Sequence, residues 1–349
     1  MVSFVRKYLL QGVLLMTLFC LCVGCDSHKE EYVRVEGAML GTFFQVSAST
    51  ELPAEQIYDR MMHIDSVAKA SMSIFDESSL LSRINRGETD SLDGHILYNL
   101  TLAEKVHKIS GGVYDVTVKP LVEAYGFAGK NPSAKVNVDS LMAFVGFDKI
   151  RVEQGRLIKA DSRVQLDFNS IAKGYVVDLA VTELQELGIK NYMVDIGGEM
   201  RCGGVNPNGG KWRVGVETPF DGNDTPGAYI QQVISLTDCA MATSGNYRRY
   251  YVDAQGRKVA HTIDPRTGRS AVSELLSATV VAATCAEADA LGTMFLALGK
   301  EAAIELAKEL ADDGVMVYLI ASGEGDEFEV YYSEALASSL KEREGFRVI

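Results

Sequence analysis

The segment VMVYLIASGEGDEFEVYYS, residues 315–333, sets two apolar and aromatic runs on either side of a turn rich in glycine and acid. That pattern reads as a β-hairpin, and a hairpin closes an antiparallel pair. Upstream, AYIQQVISL (228–236), YRRYYVD (247–253) and SATVVAAT (277–284) are further strand-like runs. A helix is expected from about Cys285 to Leu298, where Gly299 stops it. Nearer the start, TFFQVSA predicts a first strand at 42–48, and Ile57, Met61, Ile64 and Ala68 recur at helical spacing. HILYNLTLAEKVHKIS (95–110) reads as a second helix, and another spans Ile171 to Leu187, ending at Gly188. Between 155–168 and 191–217 short strands are punctuated by glycines. Strands and helices mix without the strand–helix–strand rhythm of a doubly wound sheet. The expectation is therefore an α+β fold with mixed, largely antiparallel sheets packed with helices. Since no Pro/Gly/Ser-rich linker divides the chain after its N-terminus, the expectation extends to a single catalytic unit.

The 349 residues carry a net charge of −13, which excludes general attraction to phosphate backbones, so no nucleic acid is expected as partner. An anionic ligand would need a metal ion or a local positive site to offset the same field. The N-terminus, MVSFVRKYLLQGVLLMTLFCLCVGC, has Arg6 and Lys7, then an apolar run, then small residues before Cys25. This reads as a signal over 1–24 with Cys25 as a lipidation site, although Cys22 stands where such signals usually carry Leu. A plain signal or an uncleaved anchor is the alternative. Lipidation would make 25–36 a polar tether and 37–340 the folded domain, with attachment to a membrane through the lipid. Asp26 after Cys25 points to the periplasmic side of the inner membrane. Cys202, Cys239 and Cys285 are too few for a disulfide framework, form no CxxC pair, and read as buried small residues.

Five segments carry candidate chemistry. In CAEADALGTMF (285–295), Asp289 and Thr293 stand four apart on one helix face and offer a carboxylate and a hydroxyl to a hard cation, or else belong to a solvated face. LDFNSIAKGYVVD (166–178) puts Asp167 at a strand end and opens a helix through Asn169 and Ser170, with Lys173 in its first turns. It is either an anion-holding helix start or an ordinary cap. The glycines of DIGGEMRCGG and ATSGNYRRYY suit turns or close backbone approach to a ligand; a solvated Arg248–Arg249 pair is the plain reading of the latter. HTIDPRTGRS (261–270) is stiffened by Pro265 and turned at Gly268, presenting His261 as a general-base candidate or a packed histidine.

Taken in order, M-x-G-T at Met39–Thr42, SIFDESSLLSRIN, YDVTVKPLV, LDFNSIAKGYVVD, VDIGGE, ATSGNYRRY, HTIDPRTG and AEADALGTMF make the chain similar to the FAD:protein FMN transferase (ApbE) family over roughly 37–320. The resemblance implies a T-fold-related unit and an extracytoplasmic enzyme. Such an enzyme binds FAD with Mg²⁺, moves the FMN half onto a threonine hydroxyl of a target protein and releases AMP. It implies metal ligation by Asp289, Thr293 and Ser170, the last through its carbonyl because Asn169 and Ser170 depart from the family's Gly and Ala. It implies FAD contacts at Met39, Phe75, Tyr125, Gly126, Phe127, Asp167, Lys173 and Ile263, with His261 as base and Asp264 orienting its loop. The implied acceptors are electron-transfer subunits of respiratory complexes. A FAD pyrophosphatase giving AMP and FMN, and a non-enzymatic FAD-binding lipoprotein, are the alternative readings, with Phe75 matching the transferase pattern better than the hydrolase one.

Overall fold

In the computed structural model, residues 31–128, 137–223, 225, 227–325, 327–341 and 346–349 are described. Cys25 and the signal-like stretch lie outside them. No helix among the described residues is long and apolar enough to cross a membrane. From Tyr32 onward the chain forms one unit.

The chain opens with a hairpin of β1 (Tyr32–Met39) and β2 (Thr42–Ser49), turned by Leu40 and Gly41 at positive φ. β1 corrects the tether reading, because Tyr32 to Glu36 are already strand. Its polarity hid it: Val35 and Met39 are buried, but Arg34 and Glu36 face solvent on an edge. Five helices and a hairpin follow: α1 (Ala54–Met72), α2 (Leu80–Asn85), α3 (Gly94–Ile109), α4 (Lys119–Ala124), α5 (Val138–Met142), then β3 (Ile150–Glu153) with β4 (Arg156–Lys159). Ile57, Met61, Ile64 and Ala68 are all buried in α1, as their spacing predicts.

α6 (Ala172–Glu186) leads into β5 (Tyr192–Ile196) and β6 (Glu199–Gly203), joined through Gly197 and Gly198. Both glycines have positive φ, as a two-residue hairpin that follows the strand twist requires. β7 (Trp212–Glu217) and β8 (Ile230–Leu236) form a separate hairpin, followed by β9 (Cys239–Gly245) and two short pairs, β10 (Tyr250–Val252) with β11 (Lys258–Ala260) and β12 (Ile263–Asp264) with β13 (Arg269–Ser270). β14 (Leu275–Ala282), α7 (Cys285–Leu298), α8 (Lys300–Glu309), β15 (Met316–Ser322), β16 (Phe328–Tyr332) and β17 (Arg347–Val348) complete the order.

Nine strands make one sheet, β1-β2-β5-β6-β9-β14-β15-β16-β17, antiparallel except for the last pair. The fold is thus α+β, and 315–333 is the hairpin its sequence predicts. The alternation of β strands divides two cores. Ala240, Ala242, Val280, Val317 and Leu319 face the helices, while Met241, Val281, Tyr318 and Ile320 face the β7–β8 hairpin with Trp212 and Val214.

α6 and α7 cross so closely that a Cβ on Gly174 would lie 2.2 Å from the Cys285 carbonyl oxygen. Asp178 of α6 locks the crossing by accepting from the Cys285 and Ala286 N–H groups at 3.0 and 2.9 Å, donors that the first turn of a helix leaves unpaired. A Gly174→Ala substitution should therefore cost about 1–3 kcal/mol or more, since the obstacle is backbone and cannot rotate away. Urea unfolding at neutral pH checks this, and an unchanged midpoint would mean that the crossing is looser than described.

Candidate active site

A cavity of about 330 Å³ opens where the ends of β6, β9 and β12 meet the first turns of α6 and the middle of α7. Its wall includes Asp167, Ser170, Lys173, Phe127, His261, Ile263, Asp289 and Thr293. These residues come from four sequence segments, and the fold collects them.

Lys173 is the pivot. It points from the first turn of α6 and ion-pairs with Glu199, the first residue of β6. Asp289 approaches from α7 and accepts from the Gly174 N–H at 3.0 Å. Burial acts against the Lys173 charge, but Glu199 and Asp289 outweigh it and hold the ammonium above the usual lysine range. Burial drives the Glu199 carboxyl up to about 7, with Lys173 pulling against the rise and Asp289 adding to it. Asp289 is likewise raised by burial, opposed by Lys173 and the Gly174 N–H. The second oxygen of Glu199 is buried with no hydrogen-bond partner. Such an atom is costly unless something arrives to satisfy it.

Asp289 and Thr293 both face the cavity, which decides their expected alternatives against the solvated face. Thr293 Oγ1 meets Ser244 Oγ of β9 at 3.2 Å. Asn169 and Ser170 form a turn before α6, with Ile171 at the cap position and no side-chain cap bond. This corrects the reading of them as the helix start or its cap. Asp167 is not at the end of a named strand but in the extended stretch after the isolated Val118–Gln165 bridge; its carboxylate accepts from the Asn169 N–H at 2.8 Å. Ser170 Oγ pairs with the Tyr114 hydroxyl at 2.8 Å.

His261 enters from the other side. Its Nδ1 lies 3.3 Å from the Arg249 carbonyl oxygen, which can only accept, so that bond puts the hydrogen on Nδ1 and leaves the Nε2 lone pair free. Burial, then the charges of Arg249 and Lys173, push its pKa down to about 4, so the ring is neutral at physiological pH. Phe127 packs edge-on against it, and Arg249 donates to the Phe127 carbonyl at 3.2 Å. Asp264 does not line the cavity. It accepts from the Arg266 main-chain N–H, and its main-chain carbonyl accepts from Gly268, which folds the loop that carries His261.

Met39 (fully buried), Phe75 (65% exposed), Tyr125 and Gly126 are outside the lining, although Tyr125 donates to the Gly268 carbonyl and so braces the same loop. Tyr114, Glu199 and Arg249 are site residues that carry no local signal: Tyr114 and Arg249 lie in loops and Glu199 at the first position of a strand, where nothing in the adjoining sequence says what the side chain will face. The Arg pair is exposed, as its plain reading has it, but neither is idle: Arg248 is bound by Glu217 and the Asn223 carbonyl, and Arg249 lines the cavity.

The pattern of the ApbE family matches residues 40–319. The FAD:protein FMN transferase of Haemophilus influenzae is 33% identical over 330 residues, covering 90% of this chain and 93% of that protein. Among solved structures, the flavin transferase ApbE of Vibrio cholerae superposes with a TM-score of 0.77 at 29% identity, over 88% of this chain and 99% of that one. The apo flavinyl transferase ApbE of Pseudomonas stutzeri gives 0.78 at 26% identity, over 88% and 96%.

Replacing Lys173 by Met should leave two buried carboxylates without their cation. The expected loss is up to about 3 kcal/mol, toward the low end for breaking a buried pair because the Lys173 side chain keeps 36% exposure. Without the lysine, the folded state holds protons on Glu199 and Asp289 more tightly than the unfolded chain does. The loss should therefore be largest above neutral pH and shrink as pH falls. Denaturant titrations at pH 8 and pH 5 test the sign; equal losses at both would overturn it.

Proposed function

Because the chain belongs to the ApbE family and is an FAD:protein FMN transferase, we propose that it moves the FMN moiety of FAD to a threonine hydroxyl of another protein, with Mg²⁺ bound and AMP released. The observation that carries this reading is the convergence of Asp289, Thr293, Ser170 and His261, hard oxygen donors and a neutral base, on one cavity.

The donor set fits Mg²⁺, which takes few protein oxygens and keeps waters. Asp289 and Thr293 would hold it from one face of α7, with the Ser170 main-chain carbonyl, since the Ser170 hydroxyl is engaged by Tyr114. The unpartnered Glu199 oxygen adds an unmet acceptor beside them. When bound, the ion supplies positive charge that polarises the diphosphate. The cavity needs it, because its wall carries the carboxyls of Asp115, Asp167, Glu199 and Asp289 against the cations Lys173, Arg248 and Arg249, of which Arg248 is spent on Glu217.

The protein's own groups do the rest. His261 Nε2 takes the proton of the threonine hydroxyl as its oxygen bonds to the FMN phosphorus, and the bond to the AMP oxygen breaks. The Arg249 carbonyl keeps the imidazole in that tautomer, and the Asp264 turn keeps it in place. Phe127 and Ile263 give the cavity an apolar side for the flavin, with Asp167 and Lys173 polar contacts beyond it. Met39, Phe75, Tyr125 and Gly126 would join when FAD extends past the cavity. Acceptors are electron-transfer subunits of respiratory complexes, met at the periplasmic side of the inner membrane, where lipid on Cys25 would hold the enzyme.

Incubation with FAD and Mg²⁺, with and without a threonine-bearing acceptor, followed by AMP assay and mass spectrometry of the acceptor, tests the reading. Transfer yields AMP together with acceptor-bound FMN; AMP without acceptor would instead identify a pyrophosphatase. Asp289→Ala should remove Mg²⁺-dependent AMP release altogether, and full activity would refute the metal assignment. His261→Ala should slow transfer by about 10²–10⁴-fold with FAD binding retained. Since the neutral imidazole is the active form and the ring titrates at about 4, kcat/KM should hold as pH drops from 7 to 5 as far as this group is concerned and fall only near its pKa. An acid limb centred on an ordinary histidine value would overturn the depressed pKa, and the same limb persisting in His261→Ala would remove His261 from the base role.

A further inference from the structure

We propose that Cys202 and Cys239 form a disulfide bond that ties β6 to β9. The two are 37 residues apart in sequence, yet the β6–β9 ladder pairs them directly opposite each other. Opposed residues of an antiparallel pair have their side chains on one face and Cα atoms about 4.5–5.5 Å apart, inside the range of about 4.4–6.8 Å that a disulfide spans. Both side chains lie in the core under the β7–β8 hairpin, and their thiols are hydrogen-bonded to each other. Cys202 Sγ also reaches the Cys239 carbonyl oxygen at 3.7 Å. Both are free thiols in this structure, and the register already sets them opposite each other. Cys285 lies in the helix-side core, across the sheet.

The pair is built asymmetrically. Cys202 is buried, with 2% exposure, whereas Cys239 is partly open at the start of its strand. The hydrogen bond from Cys202 holds the Cys239 thiol below its usual range, so Cys239 ionises more readily than its partner and, being partly open, is the sulfur an outside oxidant meets. Its sulfur attacks a disulfide of that oxidant, such as oxidised glutathione, and releases one thiol. Cys202 sulfur then attacks Cys239 sulfur and releases the second. Overall, two protein thiols lose two electrons and two protons, and one external disulfide becomes two thiols. The export signal read at the N-terminus would put the pair in a compartment where such bonds persist.

The bond would matter where it sits. β6 begins with Glu199, and β9 ends with Thr243, Ser244 and Gly245, all on the cavity wall. A cross-link between these strands fixes the spacing of the residues that face Lys173 and Thr293, and it closes a long loop in the unfolded chain.

The test uses the purified full chain incubated with oxidised or reduced glutathione, alkylated under denaturing conditions, digested and mapped by mass spectrometry. The expected result is a peptide pair joined through Cys202 and Cys239 that disappears on reduction, with Cys285 alkylated in both samples. Oxidation should also raise the melting temperature of the wild type and leave that of Cys202→Ser and Cys239→Ser unchanged. Free, alkylated Cys202 and Cys239 after oxidation, a link from either of them to another cysteine, or a wild-type melting temperature indifferent to oxidation would each overturn the proposal.

Discussion

Lys173 lies against two buried carboxylates from two different elements, Glu199 at the start of β6 and Asp289 in α7. Burial works against ionising either acid at this depth, and the partly exposed Lys173 ammonium is the charge that offsets it. This arrangement decides how closely α6, α7 and the sheet come together. The Gly174 N–H beside Lys173 donates to Asp289, and the absent side chain at Gly174 is what lets α7 reach it. The charge cluster and the helix crossing are one constraint seen from two sides.

From that constraint the cavity follows. Asp289 brings Thr293 to the same wall one helical turn on, and Thr293 meets Ser244 of β9. β9 runs on into the Asn246–Arg249 segment, whose Arg249 carbonyl holds His261. In a chain of net charge −13, three cations, Lys173, Arg248 and Arg249, are thus set beside the acids of this pocket. The stiff turn at Asp264–Gly268 serves the same end by placing His261 without contributing a side chain to the wall.

Some elements were legible because their signal is local and repeats. α1 and α7 show apolar residues at helical spacing, Gly299 marks the end of α7, and the 315–333 hairpin announces its own turn. β1 was not legible, since an edge strand with Arg34 and Glu36 facing water has the composition of a linker. Neither was α8, which follows α7 with only Gly299 between them. Asn169 and Ser170 have the residue types of a cap, but the Asn169 main-chain N–H donates to Asp167 and the Ser170 hydroxyl pairs with Tyr114, and Ile171 takes the cap position.

The sequence by itself determined the class of fold, most of the elements and, through its ordered motifs, the family and the residue types at the site. Those properties depend on periodicity and on short-range chemistry, which a linear string preserves. The tertiary structure alone decided which of those residues meet. It showed that Lys173 answers Glu199, that Arg249 is drawn into the cavity, that Phe75 stands outside its wall, and that Cys202 faces Cys239 across a ladder. Strand register and helix crossing are set by burial of whole faces, summed over residues far apart in the chain, and no local pattern carries that sum.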